Sequence, residues 1–382
     1  MTRVALVRCE SYEPGEVKDA VEKGIELLGG IDRIVKKGEK ILLKPNLLFG
    51  DNPEKCINTH PSVFRAAAEA VLKVTASVSY GDHPGAGGIA AAARKTGIAG
   101  QAAELGIPLA DFKTSIEVKV ENFLIQPSFP VAKGVVESDG MISLCKLKTH
   151  ALEKMTGAVK NQFGCVPGLA KPGFHMRYPD ARDFGKMLVD LNGIIGPRLY
   201  IMDGIRGMEG NGPRAGDPVA MNVLIFSEDP IALDATMARL VDLDPAYLPT
   251  VEYGAEAGMG VYREEDIELL GDPIESFINP DFQVNRERIR PFRRSGVFAF
   301  MTNMLVPKPH IDSEKCVRCG ICVEACPADP KAVDWGPEGR STPPAYDYSN
   351  CIRCYCCQEM CPESAIFLKD PVIGRIFRRK RR

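Results

Sequence analysis

Residues 316–327 read CVRCGICVEACP and residues 351–362 read CIRCYCCQEMCP. Cys316, Cys319, Cys322 and Cys326 recur at a constant offset of 35 as Cys351, Cys354, Cys357 and Cys361, and each copy closes on Cys-Pro. Of the thirteen cysteines in the chain, nine lie after residue 315, so the thiols are concentrated and their spacing carries information. The start of the chain, MTRVALVRCESYEPGE, has an apolar run of only four residues, Val4 to Val7, too short for a signal-peptide core or a membrane span. That predicts a cytoplasmic protein, where thiols stay reduced and a cysteine cluster points to metal, not disulfides.

The spacing CxxCxxCxxxCP is the bacterial ferredoxin run, in which three close thiolates hold one [4Fe-4S] cubane and the fourth reaches the other. By that rule Cys316, Cys319, Cys322 and Cys361 bind one cluster, and Cys351, Cys354, Cys357 and Cys326 the second. Four thiolates also make a closed zinc shell, but zinc sites show two separated CxxC pairs, not a duplicated triplet with Cys-Pro. Two features depart from small ferredoxins: a longer loop between the copies, Ala328 to Asn350, and Cys356 beside Cys357, which reads as a spare thiol or an alternative ligand. Two such clusters predict one-electron transfer at low potential, with a ferredoxin or a flavoprotein as electron donor or acceptor.

The remaining 300 or so residues alternate short β-rich runs with amphipathic or Ala-rich stretches: VALVRC, VKDAVEKGIELLGG, KILLKPNLL, PSVFRAAAEAVLKV, ASVSYGD. The same alternation continues through the strand candidates MISLCKL, RLYIMDGI and AMNVLIF and the helix candidates ARDFGKMLVDLNGII and DPIALDATMARLV. This predicts an α/β domain with a mainly parallel sheet over residues 1–285, followed by a small α+β ferredoxin-like domain over 311–370. Between them, residues 286–310 hold five Arg, an apolar decamer and two following prolines. That segment reads either as a strap across the domain junction or as a peripheral membrane contact, to which the basic tail 371–382 would add. A net charge of -2 with 26% charged residues gives no bias toward nucleic acid, and none is expected as a partner.

Four segments of the large domain place polar residues where such folds bind ligands: LLKPNLL, YGDHPGAGG, CKLKTHALEKMTGAVKNQFGCVPG and MDGIRGMEGNGPRAG. Lys44, Asp82 and Asp203 each follow a β-rich run, which puts them at carboxyl ends of parallel strands beside one crevice. Lys146, Lys148 and His150 share one face of a strand, and burying three basic groups calls for an anion. Asn46, His83, Asn161 and Asn211 complete a set for a small anionic ligand. Residues 203–218, rich in Gly and Pro, read as a lid loop carrying Glu209 and Asn211. Asp229 and Asp234 read as caps of the following helix. The spacings GxGxxG and GxxxxGK[ST] are absent, which disfavours standard dinucleotide and P-loop sites.

With the Cys module behind them, these segments resemble domain-of-unknown-function family 362 in its ferredoxin-bearing form, over nearly the whole chain. The segment from His150 to Lys160 and Val166-Pro167-Gly168 is also distantly similar to the nickel-pincer lactate racemase family. That second resemblance implies His150 as metal ligand or proton carrier and Lys160 as electrostatic clamp or covalent anchor. Three functions follow as expectations. The first is a ferredoxin-dependent iron–sulfur oxidoreductase, in which His150, Lys160 and Glu209 serve catalysis on a small anionic substrate or a further cofactor. The second is a racemase-like metallo-cofactor protein with redox-sensing clusters. The third is an electron-carrier subunit whose large domain only docks.

Overall fold

The computed structural model describes residues 1–85, 87–168, 170–289 and 306–369. Seven strands of the large domain form the spine of one sheet: β1 (Thr2–Arg8), β2 (Ile41–Pro45), β3 (Val78–Tyr80), β6 (Gly140–His150), β8 (Leu199–Glu209), β9 (Asp217–Ser227) and β10 (Ile267–Gly271). Strands β4 (Ser115–Lys119) and β5 (Ser128–Ala132) pair apart as a hairpin, and β7 (Lys154–Thr156) adds to β6. The order across the sheet is β10-β1-β9-β8-β6-β2-β3. Along this path only β9 runs against its neighbours; β7 is likewise antiparallel to β6.

A parallel sheet survives only if both faces are covered, and the alternation along each strand does this. Val4 and Leu6 of β1 with Leu42 of β2 join the core under helices Ala181–Ile195 and Pro230–Leu240. Ala5 and Val7 with Ile41 and Leu43 join the core under helices Pro14–Leu27 and Pro61–Leu72. Local chemistry sets the helix ends: Asp180 caps helix Ala181–Ile195 by accepting from Arg182 N, and Gly196 in the left-handed region stops it.

Two expectations are corrected here. Residues 203–218 are not a long loop: β8 and β9 continue as a paired hairpin and only 210–216 form its turn. Gly204 and Gly207 misled the reading, since they serve close packing inside the strand. A Cβ on Gly204 would lie 2.9 Å from Val223 O, and one on Gly207 2.8 Å from the Leu147 side chain. Asp229 caps helix Pro230–Leu240, but Asp234 is buried and accepts from Ala158 N and Val159 N, so it caps a different helix.

The C-terminal module is small, with β11 (Lys308–Ile311) antiparallel to β14 (Ile366–Lys369) and β12 (Val333–Asp334) antiparallel to β13 (Ala345–Tyr346). Each cysteine run ends in a short helix, Ile321–Glu324 and Cys356–Met360. The module packs on the large domain: Tyr355 belongs to the main core and Leu368 lies against it. Of the segment 286–310, residues 290–305 lie outside the described residues, as does the basic tail. Arg286 is still tied to the large domain, donating to the carbonyls of Val241, Asp242, Pro280 and Phe282.

Candidate functional site

Strands β2, β3, β6 and β8 run the same way, so their carboxyl ends meet at one crevice. Lys44 ends β2 and reaches Asp82, just past β3, at 2.9 Å, with both side chains out of solvent. Its ammonium also donates to Asn161 Oδ1 at 3.0 Å, and Asn161 in turn donates to Ser143 Oγ. This pair requires Gly164, where a Cβ would fall 1.7 Å from Asp82 Oδ1. A second pair lies alongside: Lys146 of β6 meets Asp203 of β8 at 2.8 Å and donates to the Tyr12 hydroxyl at 2.9 Å. Tyr12 donates to the other oxygen of Asp203 and stacks on His60 at 3.7 Å.

Lys44, Lys146, Asp82 and Asp203, expected to bind an external ligand, are paired with one another in the structure. The anion that two buried ammonium groups need is supplied from within, and breaking such a pair costs roughly 3–5 kcal/mol. His83 is likewise taken: its Nε2 accepts from Gly168 N at 2.9 Å and its Nδ1 lies 2.9 Å from Pro84 O. Glu209 accepts from Gln283 N and Gln283 Nε2, tying the hairpin to the residues beyond it and leaving its carboxylate engaged. Asn211 donates to Ile366 O and accepts from Gln358 Nε2, so it joins the two domains and is not part of a lid.

What remains uncompensated sits deeper toward the module. Lys148 donates only to neutral oxygens, Asn46 Oδ1 at 2.8 Å and Ile57 O at 2.6 Å, and burial pushes its ammonium down to about 7, helped by Lys160. Lys160 is half-buried and has no hydrogen bond or ion pair among the described residues. His150 Nδ1 accepts from Leu152 N and Glu153 N, both at 3.1 Å, which leaves the proton of the neutral ring on Nε2. That nitrogen lies 2.6 Å from Glu359 Oε1, a residue of the second cysteine run. Burial pushes His150 down to about 4, with Lys160 adding to it. Burial alone would raise Glu359, but His150 and Lys160 beside it hold its carboxylate well below the usual range.

Three residues of this pocket carried no sequence signal: Glu153, His175 and Glu359. Glu153 is 2% exposed with neither oxygen bonded, and burial pushes it up to about 8 against the pull of Lys160. His175 stacks on Phe184 at 4.5 Å, and its Nδ1 is buried without a partner. Burial pushes it to about 4, and it senses the charges of Glu359, Lys160 and His150. A separate open groove of about 890 Å³ runs along β10 and includes none of these residues.

In the module, Cys316, Cys319, Cys322 and Cys361 line one cavity with Gly320 and Pro362. Burial, then the charges of Cys361, Cys319 and Cys316, push the Cys322 thiol up to about 11. Four converging thiolates in one pocket are unstable without a cation between them, so these residues fit an iron–sulfur cluster. In the second run, burial and then Cys354 and Cys351 raise Cys357, and Tyr346 donates to its sulfur at 3.2 Å. Cys326 and Cys361 hold corresponding places, each accepting one backbone N–H, from Ala332 at 3.4 Å and Ala365 at 3.3 Å. Cys356 turns toward Cys354 and Glu359. The two runs differ in exposure: Cys319 is exposed and Cys316 half-buried, whereas Cys354 and Cys357 are buried.

A 4Fe-4S binding domain matches residues 307–328, and the chain therefore carries an iron–sulfur domain. The thylakoid-associated protein sll1697 of Synechocystis is 37% identical over 278 residues, 72% of this chain and 86% of its own length. Among solved structures, the lactate racemase apoprotein of Thermoanaerobacterium thermosaccharolyticum aligns with a TM-score of 0.41 at 10% identity, over 60% of this chain and 55% of that one. A Thermotoga maritima protein aligns with a TM-score of 0.36 at 15% identity, over 65% and 60%. The chain thus spans just over half the length of these solved structures. Among the described residues no helix is long and apolar enough to cross a membrane. The family described as a domain of unknown function (DUF362) matches residues 41–239, and the chain belongs to that family.

Proposed function

We propose that this protein is an iron–sulfur oxidoreductase in which residues 311–370 carry electrons to a small anionic substrate or cofactor held by residues 1–285. The observation that carries it is the 2.6 Å approach of His150 Nε2 to Glu359 Oε1. A buried polar pocket with no other evident purpose abuts the cysteine run itself. In this reading Cys316, Cys319, Cys322 and Cys361 hold one [4Fe-4S] cluster, and Cys351, Cys354, Cys357 and Cys326 a second. When bound, such clusters supply single electrons at low potential. The difference in exposure supports a direction of assembly: the first run faces a ferredoxin or flavoprotein partner, and the second faces the crevice.

The chain's own residues then do five things. Lys160 and Lys148 attract the anion, and Lys44 and Lys146, locked by Asp82 and Asp203, keep the crevice rigid. His150, its tautomer fixed by two backbone N–H groups, sets its Nε2 2.6 Å from Glu359 Oε1. Glu153, raised to about 8, holds a proton near neutral pH within reach of Lys160's field. The packed module keeps water from the second run. The basic residues of 286–310 and the tail supply a peripheral membrane contact, in keeping with the thylakoid association named for the Synechocystis relative.

Anaerobic purification with iron and sulfide analysis, and mass spectrometry of any small molecule released on denaturation, tests this. About eight iron and eight sulfide with a released organic anion or cofactor is the expected result. Zinc in place of iron would overturn the electron-transfer reading. A full iron complement with nothing else bound would shift the assignment to a docking subunit.

A further inference from the structure

Five lysines converge on the crevice: Lys44, Lys146, Lys148, Lys160 and Lys171. Asp82 and Asp203 pair with Lys44 and Lys146, and Glu359 lies against His150. Lys148 and Lys171 donate only to neutral oxygens, the latter to His83 O, and Lys160 to nothing among the described residues. Glu153 adds no negative charge near neutral pH, since burial pushes its carboxyl up to about 8. Lys148, Lys160 and Lys171 thus have no carboxylate partner among the described residues, and buried ammonium groups of that kind are costly unless a ligand of opposite sign completes them.

A second, independent observation lies in the same place. His175 Nδ1 and both oxygens of Glu153 are buried and without hydrogen-bond partners, in residues 6% and 2% exposed. Buried polar atoms are seldom left unpaired, so atoms that are point to a missing partner. As a neutral acid Glu153 donates an O–H, and a neutral His175 donates from one ring nitrogen. Both suit a ligand rich in acceptor oxygens.

We propose that the crevice binds a small dianion, an organic phosphate or a dicarboxylate, seated on Lys160 and completed by His175 and Glu153. The proposal rests on reading the crevice as the substrate site and names the class that site takes. A monoanion offers too few acceptor oxygens for Lys148, Lys160 and Lys171 together with the unpaired atoms of His175 and Glu153.

The test is calorimetric titration of the anaerobically purified full chain with inorganic phosphate, succinate and acetate at constant ionic strength. Phosphate or succinate should bind at least about tenfold tighter than acetate, and the tighter of the two names the chemistry. Lys160→Gln, at a half-buried position, should lower that affinity by about tenfold, and Lys171→Gln should lower it less. Equal affinity for acetate and succinate, or a Lys160→Gln variant that folds and binds like the parent, would overturn the proposal. Binding is read without electrons, so its failure leaves the iron analysis standing, and loss of iron leaves the titration standing.

Discussion

The two cysteine runs share a spacing and part company in their surroundings. Around the first, Cys319 and Val317 are open to solvent, Val317 at 59%. Around the second, Ile352, Tyr355 and Gln358 are buried, and Gln358 donates to Asn211 O, Asn211 Oδ1 and Gly212 O of the large domain. A duplicated motif has thus become asymmetric, with one copy presented outward and the other built into an interface. The difference teaches that the interface, and not the ligand set, distinguishes the two copies.

The sharpest way to break this comparison is to remove one ligand from each run. Cys357→Ser and Cys319→Ser should each cost about half of the iron. Only Cys357→Ser should also lower the thermal midpoint of the large domain, by several degrees for a loss of about 2 kcal/mol. Iron analysis with circular dichroism melts reads both; equal melting losses would erase the asymmetry.

A finer test leaves the ligands intact. Gln358→Leu strands the carbonyls of Asn211 and Gly212, at a cost of about 1–3 kcal/mol. A control in the first run, Arg318→Ala, removes one exposed bond to Ser341 O and should cost under about 1 kcal/mol. Urea unfolding under anaerobic conditions compares the two.

The smallest effect is in pH dependence. His150 and His175 are both pushed from 6.5 to about 4, so the native state binds fewer protons than the unfolded chain in between. Their folded values are depressed, so stability is full above about pH 6.5 and is lost progressively as pH falls toward 4. Each contributes about 1.4 kcal/mol per pH unit at most. His175→Phe should flatten the fall by that amount, read as the slope of midpoint against pH; an unchanged slope would place His175 in water.

Much of the architecture was legible because it is written in local pattern. Helix Ala181–Ile195 matches its amphipathic run end to end, and β6 extends a strand already evident from MISLCKL. The phase of Lys146, Lys148 and His150 was visible too, since alternation along a strand is local. Their partners were not. Asp203 sits 57 residues from Lys146 in sequence, and nothing near it announces an ion pair. Glu153, His175 and Glu359 were missed because a carboxylate or imidazole becomes informative only when tertiary packing buries it. The hairpin over 203–218 was misjudged because glycines that make room for Val223 and Leu147 look, in sequence, like glycines that turn a chain.

The strand order has a consequence for how the protein is made. The last strand of the sheet in chain order, β10, ends at Gly271, and it docks on β1, the first in chain order. Everything the second cysteine run leans on, from His150 to the Asn211–Gly212 turn, therefore lies upstream of it on the nascent chain. Domains fold as units from the N-terminal side during synthesis. The cysteines thus emerge after the surface that receives them, and iron is delivered to a chain whose large domain is already in place.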